Sequence, residues 1–185
     1  MTLSQREFRT AIGHFATGVA VIAAQVGDEV HAMTANAVSS LSLDPMLILF
    51  CPSKGARFAQ FLPELTTFSI NILREEQQAL SNFFAGAWRD TQAPAFRFVR
   101  TAAGPRLEGA LASLNCELLE TLEGGDHLVV IGRVTATHIG TSPRQPLIFF
   151  KGQYRSMSLA EESPAPDLAN VNDEPAHIFY MGTQR

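Results

Sequence analysis

Cysteine, tyrosine and tryptophan are all scarce in this chain. The two cysteines, Cys51 and Cys116, stand far apart in 185 residues, and neither has a partner at metal-ligand spacing. They read as reduced core thiols, which excludes a disulfide scaffold. Long apolar runs are also missing: none reaches the ~18 residues that a membrane span needs. The stretch Met1–Arg9 is polar, with no apolar region behind it, so no secretion leader is expected and the chain reads as cytoplasmic. Excess positive charge is absent. A formal net charge of −4 leaves no overall basic footprint for nucleic acid. There is no His-Glu-x-x-His, no Cys-x-x-Cys and no Gly-x-Ser-x-Gly. Metalloprotease, dithiol and hydrolase chemistry therefore have no local signature. No Gly-x-Gly-x-x-Gly follows a strand, which removes a Rossmann dinucleotide site. His14, His31, His127, His138 and His177 show no mutual spacing for a metal.

Against these absences stands an apolar content of 46%, enough for the core of one domain of ordinary size. Residues 1–160 read as that domain. Residues 161–185, with three prolines and several acids, read as an irregular tail in which Ile178–Met181 is apolar enough to dock. Ser4 and Glu7 form a capping-box pair ahead of Phe8, Ile12 and Phe15, so a helix is expected over about Ser4–Phe15. Val19–Ala24 reads as a buried strand, and Gly27-Asp28-Glu29 as the turn into a second hairpin arm from Val30 to Ala37. Met46–Cys51 and Phe68–Leu73 read as strands. Ala56–Leu62 reads as a short helix and Arg74–Phe84 as a longer one closed by Gly86. Ala87–Arg106 reads as loop, Leu114–Leu122 and Leu128–His138 as strands about a Gly124-Gly125 turn. Leu147–Phe150 reads as a last strand running on through Tyr154. Many closely spaced strands with few helices predict a mainly β barrel with peripheral helices.

Three segments carry candidate chemistry. Thr34-Ala35-Asn36-Ala37-Val38-Ser39-Ser40 combines small residues with four polar side chains. Such a strand lets a flat ligand reach the backbone, whose N–H and C=O groups read its edge. It is equally a plain polar edge strand. Ser53-Lys54-Gly55-Ala56-Arg57 follows a strand and opens a helix. Its hydroxyl, its two cations and the amides at the helix start make a phosphate cradle, or else a solvated turn. Gly124-Gly125-Asp126-His127 sets a histidine just beyond a tight turn, where it either tunes proton delivery or serves the fold.

Taken in order, Phe15-Ala16-Thr17-Gly18-Val19, then His31 through Pro45, then Gly125-Asp126-His127 ahead of Ile131-Gly132-Arg133-Val134, resemble the flavin reductase-like, FMN-binding split-barrel family. The resemblance is to the reductase components of two-component flavin monooxygenases. Asn71-Ile72-Leu73, Phe84-Ala85-Gly86 and Gly152-Gln153-Tyr154-Arg155 fall where the family has comparable segments, so the resemblance spans about residues 6–158. It implies a six-stranded Greek-key split β-barrel with extra helices, acting as a homodimer. It implies that Ala32, Met33, Thr34, Ala35, Asn36, Val38 and Ser39 line a flavin, FMN or FAD. Ser53, Lys54, Gly55, Ala56, Arg57, Phe58, Ala59 and Gln60 are the segment expected to hold its phosphate, and Ala85 and Gly86 a further contact. The nicotinamide of NADH or NADPH is expected near His127 and Gly152, Gln153, Tyr154 and Arg155. Two departures stand out. Ala56 occupies a place where many relatives carry a second Ser or Thr, leaving Lys54 or Arg57 to compensate. Pro45-Met46 replaces a common Pro-Pro.

The implied reaction is hydride transfer from nicotinamide C4 to flavin N5 across rings stacked at roughly 3–3.5 Å. His127 is the candidate catalytic residue, orienting the nicotinamide or aiding proton exchange, and a flavin-dependent monooxygenase is the implied recipient of reduced flavin. A flavin-binding carrier or sensor without turnover is the alternative, because fold does not decide activity. A split-barrel oxidase of a small organic substrate is a third reading, for which no residue set announces a pocket.

Overall fold

The computed structural model describes residues 3–141 and 144–157. The expectations for residues 161–185, Ile178–Met181 included, lie outside the described residues. Helix α1, Gln5–Ile12, starts where the capping box placed it. Ser4 Oγ accepts the Glu7 amide, and the Glu7 carboxylate takes the Ser4 amide in return. The helix stops before Phe15 because Gly13 caps it and His14 and Phe15 close a tighter turn on Ala11 and Ile12.

The strands are β1 (Thr17–Gly18), β2 (Ala20–Val26), β3 (Glu29–Ala35), β4 (Val38–Leu43), β5 (Met46–Phe50), β6 (Thr67–Ile72), β7 (Phe98–Thr101), β8 (Gly104–Leu107), β9 (Ala112–Gly124), β10 (His127–Ile139), β11 (Ile148–Phe150) and β12 (Gln153–Arg155). Seven of them form one antiparallel sheet in the order β3-β2-β6-β9-β10-β5-β4. The count is seven, against six expected, and the segment of small residues accounts for β3 and β4 separately. It breaks at Asn36-Ala37, where Asn36 Nδ2 donates to Thr17 Oγ1 and the Ala37 carbonyl accepts from Cys51, so β3 and β4 become opposite edges of the sheet.

The sheet curls around one core. Met33 and Ala35 of one edge strand and Val38 of the other pack into the same cluster as Ile22, Phe50, Phe68, Ile70, Cys116 and Val130. The split between the edges is plugged by a 3₁₀ helix, Arg57–Glu64, which inserts Phe58 and Leu62 into that cluster and stacks Phe61 on His31 of β3 at 4.0 Å between ring centres. This is the helix expected from Ala56, wound more tightly and starting one residue later.

The outer face of β2 is covered as well. Val19 and Val21 pack with Leu73, Leu107 and Leu147, and with Leu80 of α2 (Gln78–Phe84). That double burial explains why Val19–Ala24 is apolar without alternation. Helix α2 begins later than expected, because Arg74–Gln77 forms a 3₁₀ lead-in closed by Gln77 Oε1 on the Arg74 amide.

The stretch expected to be loop, Ala87–Arg106, contains the start of the β7–β8 hairpin. Its anchor is remote in sequence. Buried Asn71 on β6 accepts the Leu107 amide and the Ser113 hydroxyl at 2.9 Å each, while its Nδ2 donates to Val21 O and Ser69 Oγ. With all four bonds made, this buried amide is fully satisfied. The last strand is a hairpin, β11 and β12, turning at Lys151-Gly152. Among the described residues, no helix is long and apolar enough to cross a membrane.

Candidate active site

The edge position of β3 is what makes it able to bind. Its far side has no neighbouring strand, so backbone groups of small residues face a cleft. That cleft has a volume of about 670 Å³, within the range of ligand pockets. Ala32, Met33, Thr34, Ala35 and Asn36 of the strand segment line it, together with Ser53, Ala56, Arg57 and Phe58, with Ala85 and Gly86, and with His127. Thr34 Oγ1 donates to Ser81 O of α2 at 2.7 Å, which docks α2 against β3 and brings Ala85 and Gly86 over the cleft. Gly86 has φ +72, and a side chain there would meet open space, so its left-handed backbone conformation is what favours glycine.

The two candidate turns are tied together. The Lys54 amide donates to Asp126 O, the Leu128 amide to Pro52 O, and Ser53 bridges His127 as an isolated antiparallel pair. Lys54 is ion-paired with Glu123 and does not line the cleft. Arg57 lines it and makes no ion pair among the described residues. Arg57 is therefore the cation left to meet an anionic group, with the Ser53 hydroxyl beside it.

His127 Nδ1 lies 2.8 Å from Asp126 Oδ1. A carboxylate only accepts, so the proton is on Nδ1 and Nε2 is the nitrogen left for other contacts. The same contact holds the Asp126 carboxyl below its ordinary range, through the hydrogen bond first and the imidazole charge second. A second cavity, about 740 Å³, lies beyond this residue and shares Asn36, Ala37, Cys51 and His127 with the first. Val38, Ser39 and Gly152 line it, together with Phe8 and Ile12 of α1 and Phe15 just beyond it.

Other expected residues stand elsewhere. Gly55, Ala59 and Gln60 line neither cavity, and neither does Gln153. Tyr154 and Arg155 open onto a different surface. Tyr154 is a prop: its hydroxyl bonds Ser81 Oγ at 2.8 Å and its ring packs on Phe149. Sequence reasoning missed Cys51, at the junction of the two cavities, and the role of α1. The available signal for α1 was its apolar stripe, none of which is buried.

A curled antiparallel sheet has a cleft along its open edge, lined by Arg57, which makes no ion pair among the described residues, and by the carboxylate-anchored imidazole of His127. The chain belongs to the flavin reductase like domain family, which it matches over residues 12–158. It is 37% identical over 150 residues to the reductase component of 4-hydroxyphenylacetate 3-monooxygenase from Thermus thermophilus, covering 81% of this chain and 95% of that protein. It is 40% identical over 154 residues to an NADH-dependent flavin reductase of a Rhodococcus species, covering 82% and 85%. Among solved structures it resembles the NADH:FAD oxidoreductase SgcE6 of Streptomyces globisporus C-1027 in complex with NAD and FAD fragments. The TM-score is 0.77 at 30% identity, over 86% of this chain and 96% of that one.

Proposed function

We propose that this chain is an NAD(P)H:flavin oxidoreductase that reduces FMN or FAD and passes the reduced flavin to a flavin-dependent monooxygenase. The observation that carries the reading is the cleft itself: an unpaired strand edge of small residues, in a cavity also lined by Arg57, without an ion pair among the described residues, and by the Asp126-anchored His127. The residues present fit a flavin. Ala32, Ala35, Ala85 and Gly86 leave room for a ring, the β3 edge offers backbone donors and acceptors for its polar rim, and Arg57 with Ser53 suits its phosphate.

A flavin held there would supply the acceptor for a hydride from the nicotinamide of NAD(P)H, with one proton taken up. The protein's contribution is placement. β3 and the Ala85-Gly86 turn fix one face of the ring. His127, locked through Nδ1, presents Nε2 at the passage into the second cavity, where it orients a nicotinamide or relays a proton. Steady-state oxidation of NADH and NADPH with each flavin in turn tests the reading. Flavin-dependent loss of NADH absorbance supports it. Tight flavin binding with no NADH consumption would instead favour a carrier.

We also propose a homodimer. Leu41, Leu43, Met46, Leu119, Leu122 and Ile139 are all exposed, and all lie on the neighbouring strands β4, β5, β10 and β9. A monodisperse monomer in sedimentation at micromolar concentration would contradict it. Reduced Cys51 and Cys116 support a cytoplasmic location. Residues 1–160 are proposed as the catalytic unit, and 161–185 as an appended tail.

A further inference from the structure

Beyond the second cavity the surface changes character. Arg9, Gly13, Lys151 and Gly152 line the second cavity and also a shallow trough of about 760 Å³, which adds Arg6 and His14. Three sections therefore run in series. The flavin cleft leads past His127 into the apolar cavity, and that cavity leads past Arg9 and Lys151 into the trough.

Every charged side chain lining the trough is a cation, in a chain whose net charge is −4. Five cations elsewhere, Lys54, Arg74, Arg97, Arg133 and Arg144, each pair with a glutamate. Arg6, Arg9 and Lys151 have no such ion pair among the described residues. Glu7, the nearest acid in sequence, is turned back onto Ser4 by the capping box. Arg9 and His127 line the same second cavity, which puts that guanidinium on the same side of the molecule as the Asp126–His127 pair.

The Lys151 side is held by the backbone. Its amide donates to Gly13 O at 2.8 Å, joining the β11–β12 turn to the end of α1. Lys151 adopts φ +51, a left-handed conformation that glycine or asparagine takes at lower cost. The turn thus carries a lysine where its backbone favours glycine or asparagine.

We propose that Arg9 and Lys151 form a clamp for the phosphate groups of the nicotinamide dinucleotide, holding it so that its nicotinamide reaches past His127 to the flavin. This rests on the function proposed above and identifies its positioning residues. The geometry separates this clamp from the flavin's own phosphate end. Arg57 lines only the first cavity, Arg9 and Lys151 only the second cavity and the trough, and the residues shared by the two cavities lie between. A diphosphate that continues from the flavin phosphate therefore leaves at the Arg57 end.

The test uses flavin-saturated protein and three variants: Arg9→Gln, Lys151→Gln and the double variant. Lys151→Gln keeps the same Cβ in the same turn, so backbone conformation is not at issue. Equilibrium binding of ADP-ribose, which carries the pyrophosphate without the nicotinamide, is measured by calorimetry at low and moderate salt. The KM for NADH and for NADPH is measured alongside. The expected result is that the double variant weakens ADP-ribose at least fivefold, raises the KM for NADH by a similar factor and flattens the salt dependence. FMN affinity stays within twofold of wild type. Arg9→Lys with Lys151→Arg restores most of the loss. Equal loss with NADH and NADPH assigns the clamp to the shared pyrophosphate, and loss confined to NADPH assigns it to the 2′-phosphate. ADP-ribose affinity and both KM values within twofold of wild type overturn the clamp. So does an equal loss of FMN affinity, which would mean a general structural effect. If wild-type protein oxidises no NADH with any flavin, it is the oxidoreductase reading that fails.

Discussion

Gly132 offers a severe test of the packing that holds the cleft in shape. It lies on β10 at a register shift opposite Leu118, and its φ is ordinary, so alanine is allowed by the backbone. A Cβ built there would lie 2.4 Å from Phe68 Cζ, 2.7 Å from Cε1 and 3.1 Å from Cys116 Cβ. Phe68 has no room to retreat. It is fully buried, 5.1 Å between ring centres from Phe50, which leads directly into Cys51 and the Ser53 turn. Overpacking of this kind costs ~1–3 kcal/mol, and contacts this short belong at the upper end. Replacing a strand glycine by alanine returns roughly 0.5–1 kcal/mol of backbone entropy. The net loss for Gly132→Ala is therefore about 2 kcal/mol, or a Tm lower by about 4–8 °C for a domain of this size. Differential scanning fluorimetry and urea unfolding read it directly. The double variant Gly132→Ala/Phe68→Leu removes the obstructing ring, so its loss is smaller than the sum of the single losses by about 1 kcal/mol or more. A Gly132→Ala protein within 0.5 kcal/mol of wild type, or strictly additive losses, would refute this account of the core.

Four further outcomes follow from the structure. Arg57→Gln weakens FMN about tenfold and leaves riboflavin, which lacks the phosphate, within twofold; equal weakening of both in a fluorescence titration would contradict the cradle. His127→Ala lowers kcat/KM for NADH with little change in FMN affinity, and unchanged NADH kinetics would remove it from the mechanism. Its partner Asp126 has a carboxyl below the usual range, so the carboxylate contact is present above the unfolded value and is lost as pH falls through the lower folded one. Asp126→Asn is accordingly expected to change the acid limb of the NADH profile. Burial pushes the Cys116 thiol up to about 12 and raises Cys51 as well, so native protein alkylates slowly at neutral pH, at Cys51 first. Cys51 lines both cavities, and saturating FMN should protect it. Mass spectrometry showing Cys116 labelled first, or no protection by flavin, would contradict this arrangement.

What was legible in the sequence is what local chemistry determines. The capping box set the start of α1, and the turn at Gly27-Asp28 set the β2–β3 hairpin, because both depend on neighbours within a few residues. The small-residue segment and the cationic turn were legible for the same reason. What escaped depends on partners far along the chain. The β7–β8 hairpin is anchored by Asn71, 36 residues before Leu107. Thr34 lines the cleft, but the bond its hydroxyl makes to Ser81 lies 47 residues away and has no local signal. Tyr154 resembled a nicotinamide contact by position, yet the β11–β12 turn swings it onto Ser81 and Phe149. The choice between Lys54 and Arg57 required knowing that Glu123 lies beside Lys54.

The most direct test of the central claim is anaerobic. Catalytic protein is mixed with FMN and excess NADH, and flavin and NADH absorbance are followed together. The account predicts that flavin bleaches in step with NADH loss, and more slowly when the transferred C4 hydrogen is deuterium. A flavin that stays oxidised while bound to the protein in the presence of NADH would contradict it.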